Sequence, residues 1–448
     1  MKIIILGVGK VGESLVENFT REGHDITILD KKEDIVSRIV NRYDVNGIVG
    51  SGIEHVNLIN SGVNGADLFI ACTSRDEINV LTCVLAKKLG ASKTIARVRD
   101  RELFKEMGSM KEILGIDLVF NPEYRTAIEI SEILKFPFAR NVENFANGGA
   151  YMVEFSVGEN SPIIGKSLIE IATYGNKVLF AMVERGNEVI IPRGDFIVNK
   201  DDVLHVVATE EELASFCKKI KIFKSRSRSA FVVGGGRISY YLASQLSSSG
   251  TSVKIMEIDK EKCKELSSVL TSVDVICADA TEQAILDEEN LKNYDACVLL
   301  TGLDETNVIL SLYAIQQGVC KVIAKVGRDN VIGMVEKLGL DSVVSPKSVI
   351  ANHIMRFVRM QQAEKGETIN NLYRLKDKAE AMEFTVADSF KYQSTKLREL
   401  KVAPYAIIGG VVRDREFILP TGDTELFAGD RVIVVTTKQI KEFAEIFR

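Results

Sequence analysis

The sequence predicts an α/β protein of two tandem Rossmann-like, doubly wound parallel sheets, each followed by a small α+β domain. Three observations predict it. The run Gly7-Val8-Gly9-Lys10-Val11-Gly12 stands between an apolar, β-branched stretch and a helical pattern, the context that makes a G-x-G-x-x-G match a dinucleotide fingerprint. Short β-branched runs then alternate with helical periods, as the βαβ units of a parallel sheet require. The whole arrangement is also repeated: "KIIILGVGKVGESLVENFTREGHDITILD" is echoed by "SAFVVGGGRISYYLASQLSSSGTSVKIMEID", with Gly7 matched to Gly234 at an offset of 227 residues.

In the first half, strands are predicted near 2–6, 25–29, 45–49, 67–72 and 93–98, with helices starting near Lys10, Lys32, Asn57 and Glu77. A further helix in "PEYRTAIEISEILKFPF" places Ala127, Ile130, Leu134 and Phe138 on one stripe, and "PKSVIANHIMRFV" does the same with Ile350, Ile354 and Phe357. Such stripes are ordinarily core, and beyond a sheet's last strand they also suit burial against a partner. Alternating Val-, Ile- and Phe-rich patterns from about 150 to 215 and 380 to 448 predict the small domains.

The repeat runs through both kinds of domain. At an offset of 228, "DLFIACTSRDEINVL" matches "DACVLLTGLDETNVI", pairing Thr73 with Thr301, Asp76 with Asp304 and Asn79 with Asn307. "KTIARVRD" matches "KVIAKVGR", and "IPRGDFIVNKDDVLHVVAT" matches "LPTGDTELFAGDRVIVVTT", pairing Asp202 with Asp430. The repeating unit is therefore a pair of domains, with boundaries expected at 1–140, 141–224, 229–360 and 368–448. Between the halves, "KKIKIFKSRSRS" carries six basic residues from Lys218 to Arg228. It reads as a solvated linker or as a contact patch for an acidic partner or lipid head group.

Composition bounds the function. The chain has 448 residues, 46% hydrophobic and 27% charged, enough apolar material for several cores. A net charge of −5 gives no general attraction to nucleic acid. Seven cysteines form no C-x-x-C pair and suit a reducing cytoplasm. No signal-peptide pattern precedes the first strand, and no window holds the ~18 uninterrupted apolar residues of a membrane-spanning helix. Any tie to a membrane is expected through another protein.

The glycine run carries the functional signal. Gly7 permits the tight turn, Gly9 lets the backbone approach a pyrophosphate, and Gly12 lets the helix pack on the strand, while the helix N-terminus supplies unpaired N–H groups to phosphate. Asp30 ends the second strand 18 residues after Gly12, where a carboxylate accepts the ribose hydroxyls and repels a 2′-phosphate. NAD(H) or ATP/ADP is favoured over NADP(H). Thr73 and Ser74 follow another strand on the same edge. Arg97 lies in the next, and either neutralises phosphate or pairs with Asp76 or Glu77. In the second repeat, Gly234-Gly235-Gly236-Arg237-Ile238 is followed by Ser239 in place of the third glycine, with Glu257 at the Asp30 position and Thr301 at the Thr73 position. These residues leave open a second site of different strength or ligand, or a retained fold without binding.

A dehydrogenase also needs a proton donor or acceptor beside its nicotinamide. Among four histidines, His24 precedes the second strand and His205 lies in a small-domain strand pattern. No G-x-S-x-G, H-E-x-x-H, Walker lysine loop or Cys/His cluster appears, so no catalytic residue and no metal ligand is assigned. A binding module is the leading reading, and an NAD-dependent oxidoreductase acting on a small metabolite is the alternative.

The duplicated order of G-x-G-x-x-G, acid at the second strand, "CTSRDEINVL", "ARVRD" and a small C-terminal domain resembles the RCK (also called KTN) family, cytoplasmic regulators of potassium channels and transporters. The resemblance covers nearly the whole chain. It implies two RCK N-type and two C-type domains, with the striped helices joining adjacent Rossmann units. It further implies a gating ring of eight units, hence a homotetramer, peripheral on the inner face of the cell membrane beneath an integral, TrkH-like potassium channel or transporter subunit. Another transporter is the variant reading, since these domains serve several membrane partners.

Overall fold

In the first half, six strands, β1 (Lys2–Leu6), β2 (Asp25–Asp30), β3 (Asn46–Val49), β4 (Leu68–Ala71), β5 (Lys93–Arg97) and β6 (Leu118–Phe120), form a parallel sheet in the order β3-β2-β1-β4-β5-β6. The computed structural model describes all residues except 224–226, 336–337, 339, 341, 363–367, 376–377, 441 and 448. Lys224 and Arg226 of the basic stretch lie outside the described residues, as do parts of the boundaries expected near 224 and 368. β1 is fully buried from Ile3 to Ile5, as a strand covered by helices on both faces must be. Its last residue, Leu6, pairs with Leu29 on one side and Ala71 on the other. The chain order reverses across β1 and β4, which creates the crevice where such sheets bind ligands.

The first small domain is antiparallel: β7 (Asn141–Phe145), β8 (Ala150–Ser156), β9 (Leu179–Arg185), β10 (Glu188–Ile190) and β11 (Val203–Ala208), ordered β10-β9-β11-β8-β7. The second half repeats both architectures. Its parallel sheet is β12 (Ser229–Val233), β13 (Ser252–Glu257), β14 (Asp274–Cys277), β15 (Ala296–Leu299), β16 (Lys321–Lys325) and β17 (Ser342–Val344), ordered β14-β13-β12-β15-β16-β17. Its antiparallel sheet is β18 (Thr368–Leu375), β19 (Ala379–Thr385), β20 (Ala406–Arg413), β21 (Glu416–Ile418) and β22 (Arg431–Thr436), ordered β18-β19-β22-β20-β21. The repeated acids Asp202 and Asp430 play the same structural part, since each is buried and takes a two-pronged ion pair, from Arg185 and Arg413 respectively.

The halves are joined by an exchange of helices. The stripe of the first crossover helix, Pro122–Lys135, packs Ala127, Ile130, Ile133 and Leu134 into the core of the second parallel sheet, against Leu242, Ala243 and Leu246. The second crossover helix, Pro346–Gln362, packs Ile350, Ala351, Ile354, Met355 and Val358 into the first, against Leu15, Val16 and Phe19. Phe138, placed on the first stripe by periodicity, lies past the helix end and packs in the small-domain core. The two small sheets also meet face to face, Met152, Met182 and Val207 packing with Ala381, Val412 and Ile433.

Beside the crossing of the two helices, Arg125, Glu129, Glu143, His353, Arg356 and Tyr373 line a cavity of about 100 Å³. Burial pushes the Glu129 carboxyl up to about 7 and Glu143 to about 8, Glu129 adding to the rise of Glu143. Burial, with the charges of Arg125 and Arg356, pulls His353 down to about 3. A carboxyl held protonated in the folded chain keeps its proton where the unfolded chain has lost it. Stability therefore falls as pH rises from about 4.5 to about 8. His353 acts in the opposite sense only between about 3 and 6.5, so above pH 6.5 the carboxyls dominate. Urea denaturation at pH 6.5 and 8.0 is expected to show a loss on the order of 1 kcal/mol per pH unit, and Glu143→Gln is expected to flatten it. An unchanged slope in the variant would assign the effect elsewhere.

Candidate nucleotide-binding site

At the carboxyl edge of the first parallel sheet, Gly7 adopts φ +88°, and a Cβ there would stand 2.8 Å from the Thr73 amide nitrogen. Only glycine fits both the left-handed backbone and the close approach of the neighbouring loop. Gly12 is confined differently: a Cβ would stand 2.2 Å from the Gly7 carbonyl oxygen, because the helix Lys10–Arg21 lies directly on the turn. Gly9 meets nothing within 4 Å at its Cβ position and has φ −73°. Nothing in the fold itself requires a glycine there, so its bare face is open to a ligand.

Gly9 caps the helix without a side-chain hydrogen bond, so the amides of the first turn point into this open face. Val8 is fully buried, Lys10 is exposed and Val11 is half-buried. Asp30 holds the loop in place: the Val8 N–H donates to its Oδ2 at 2.8 Å and the Lys32 N–H to its Oδ1 at 3.0 Å. Each carboxylate oxygen retains a further acceptor position for a ribose hydroxyl.

On the other side of β1, the Thr73 hydroxyl donates to Asn79 Oδ1 at 2.7 Å, and the Thr73 amide donates to the same oxygen at 2.8 Å. Asn79 Nδ2 donates to the Arg97 carbonyl at 2.9 Å, fastening the loop after β4 to the end of β5. Asp76 receives the Arg99 and Asp100 amides, each at 2.7 Å. Ser74 is exposed. Arg97 is half-buried, and burial, then the charge of Arg99, lowers its proton affinity. Its Nε has no hydrogen-bond partner among the described residues. Asp76, one expected partner for Arg97, is instead engaged by backbone.

The second repeat reproduces this frame. Gly234 has φ +96°, and Gly236 is open within 4 Å. Gly235 N–H donates to Glu257 Oε2 at 2.6 Å, and Asp259 N–H to Oε1 at 2.9 Å. Thr301 is clamped by Asn307 as Thr73 is by Asn79. Ser239 is fully buried and turns its hydroxyl onto the Gly234 carbonyl, so the third glycine is replaced by a side chain that bonds the turn. Arg237 is exposed and Ile238 half-buried, like Lys10 and Val11. A cavity of about 390 Å³ opens here, lined by Gly234, Glu257, Lys262, Asp279 and Thr301 among others.

Asp76 was expected only as a partner of Arg97, and Asn79, Asn307 and Asp304 were given no role, although their recurrence in both repeats was the available signal. A second cavity, about 670 Å³, lies between the halves and is lined by Lys10, Glu13 and Arg42 of the first and Asp304, Glu305 and Arg328 of the second. The first glycine loop therefore sits over the carboxyl edge of the other repeat.

Residues 3–122 and 230–346 match the family model of the TrkA-N domain, and residues 152–221 and 381–448 that of the TrkA-C domain. The chain is 31% identical to the Trk system potassium uptake protein TrkA homolog of Archaeoglobus fulgidus, over 100% of both chains. The solved GsuK channel bound to NAD matches with a TM-score of 0.64 at 18% identity, over 97% of this chain and 76% of that chain. GsuK bound to ADP matches at 0.52 and 15%, over 80% and 69%. At such identities the structural matches establish the fold. Among the described residues no helix is long and apolar enough to cross a membrane.

The glycines separate folding from ligand approach. Gly9→Ala is expected to leave the thermal midpoint within about 2 °C of the parent while weakening nucleotide binding at least tenfold, because the added methyl meets only ligand. Gly12→Ala is expected to lower the midpoint by several degrees. Thermal melts with parallel calorimetry check both, and a Gly9→Ala chain that binds as the parent does would remove the close-approach role.

Proposed function

The chain belongs to the TrkA family, and from that membership we propose that it is the nucleotide-sensing regulatory subunit of a Trk-type potassium-uptake system. The observation that carries the reading is the pair of glycine loops, each closed by an acid at the end of the adjacent strand and open at the middle glycine. In this reading the adenosine ribose sits on Asp30 and the phosphates lie over Gly9, Lys10 and the first-turn amides, with the Arg97 guanidinium neutralising them. Thr73 contributes as a clamped loop more than as a hydroxyl donor, since its proton is committed to Asn79. NAD(H) and ATP/ADP fit such a site, and Asp30 disfavours NADP(H).

The subunit is cytoplasmic and reaches the membrane through a TrkH-like integral partner, four chains placing eight Rossmann units in a ring. Its four units run over 1–140, 141–224, 229–360 and 368–448. The crossover helices tie each nucleotide edge to the opposite repeat, so a ligand that prefers one relative placement shifts the ring by its differential affinity alone. No chemistry on the nucleotide is part of this role.

Calorimetric titration of NADH, NAD, ATP, ADP and NADPH, with turnover followed in the same samples, tests it. Saturable binding without consumption, absent for NADPH, is expected. Asp30→Ala is expected to weaken binding roughly tenfold or more, and by more than Glu257→Ala, because Asp30 is the more accessible acid. Equal losses would overturn that ranking, and steady NADH oxidation with a metabolite would make the chain an oxidoreductase. A monomeric mass by light scattering would remove the ring.

A further inference from the structure

The first small sheet gathers a histidine and two carboxylates on one face. His205 on β11 is directly opposite Glu154 on the neighbouring strand β8. Glu184 comes from β9 on the other side, two residues along from Met182, the cross-strand partner of His205. One ligating atom from each of Glu154, Glu184 and His205 lies within 4.8 Å of the others. His205 Nε2 is 2.8 Å from Glu184 Oε1. His205 is 1% and Glu184 9% exposed, so the three are sheltered yet reachable from the Glu154 side.

We propose that Glu154, Glu184 and His205 form a binding site for one divalent transition-metal ion, of the zinc, cobalt or manganese class. The internal repeat supplies an independent argument. The counterpart of Glu154 in the second small sheet, Glu383, is a structural residue: its Oε2 accepts the Ala146 N–H at 2.7 Å and its Oε1 pairs with Arg431. The counterpart of that Arg431 in the first sheet is the apolar Val203. The first sheet adds one nitrogen and one oxygen ligand, His205 and Glu184, where the second has the apolar Ile433 and Val412. Two apolar positions have become two metal-ligating ones, beside the one carboxylate both sheets share. Among the described residues, Arg140 lies near Glu154, its Nε 3.8 Å from Oε1, the outer limit of an ion pair.

The donor set selects the ion. An imidazole nitrogen with carboxylate oxygens suits borderline ions such as Zn2+, Co2+ and Mn2+ better than Ca2+ or Mg2+, which prefer all-oxygen shells. Two ligands of a tetrahedral ion at about 2.1 Å are roughly 3.4 Å apart. Binding thus opens the 2.8 Å His205–Glu184 contact and draws the widest pair inward by rotamer changes on rigid strands. A fourth position falls to water or an external ligand. Because this face packs against the second small sheet through Met152, Met182 and Val207, the ion fixes β8, β9 and β11 at the seam between the two small domains.

The test uses the full chain, stripped of metal and carrying Cys277→Ser and Cys320→Ser to remove its two exposed thiols. Zn2+ is titrated calorimetrically and Co2+ by its visible absorption, with Ca2+ and Mg2+ as competitors. One equivalent per chain is expected. His205→Gln and Glu154→Gln are each expected to weaken it at least tenfold. The pair Glu184→Val with His205→Ile, which installs the second sheet's own residues, is expected to abolish binding while keeping the fold, read by circular dichroism. No binding by the parent would leave His205 and Glu184 as an ion pair only and overturn the proposal. Binding that survives the double variant, or that Ca2+ displaces at equal concentration, would overturn it too. If the double variant unfolds, the two Gln variants decide alone.

Discussion

Each crossover helix buries its apolar stripe in the other repeat, and the rest of the molecule depends on that exchange. Ala127, Ile130, Ile133 and Leu134 are at most 3% exposed, as are Ile350, Ala351, Ile354, Met355 and Val358. At roughly 1.5–3 kcal/mol for each large side chain fully buried, either stripe contributes more than a typical surface contact network. Neither parallel sheet completes its helical layer without the other half's helix. Because the same helices lead directly into β7 and toward β18, the position of each small domain is tied to the parallel sheet of the opposite repeat.

That geometry also brings the carboxyl edges of the two parallel sheets into electrostatic contact. Burial lowers the proton affinity of Lys325, the counterpart of Arg97; Asp304 opposes that, and Lys10 of the first loop adds to it more weakly. Arg359 adds a fixed point, pairing with Glu22 beside the first parallel sheet and with Glu380 on β19. A buried ion pair of this kind is weak evidence for stability and better suited to fixing register.

Comparing the repeats with each other explains how much was legible in the sequence. The glycine turn, the acid after β2 and the Thr, Asp and Asn spacing depend on local backbone geometry, so their residue types and separations are readable. The strand β6 and the helix Arg101–Ile113 before it were not. A three-residue strand shows no period of two, and the helix leaves Met110 and Ile113 on its exposed side, blurring its apolar stripe. Asp202 and Asp430 stood out by recurrence, yet their arginine partners lie 17 residues away on another strand. The grouping of Glu154, Glu184 and His205 comes from three strands, and only the register of the sheet assembles it.

The same comparison separates scaffold from site. Asn79 and Asn307, Asp76 and Asp304, Arg185 and Arg413 make the same bonds in both halves, as parts that hold loops and sheets regardless of ligand. On the carboxyl edges of the parallel sheets the halves differ at Gly12 and Ser239, Asp30 and Glu257, Arg97 and Lys325. Lys325 donates to the Leu300 carbonyl at 3.2 Å, whereas the Arg97 Nε has no such bond among the described residues. A guanidinium with an unused donor gains more from an arriving phosphate than an amine already bonded to the protein. The two edges therefore offer an arriving phosphate different groups, a guanidinium with a free donor at Arg97 and an amine already bonded to the protein at Lys325.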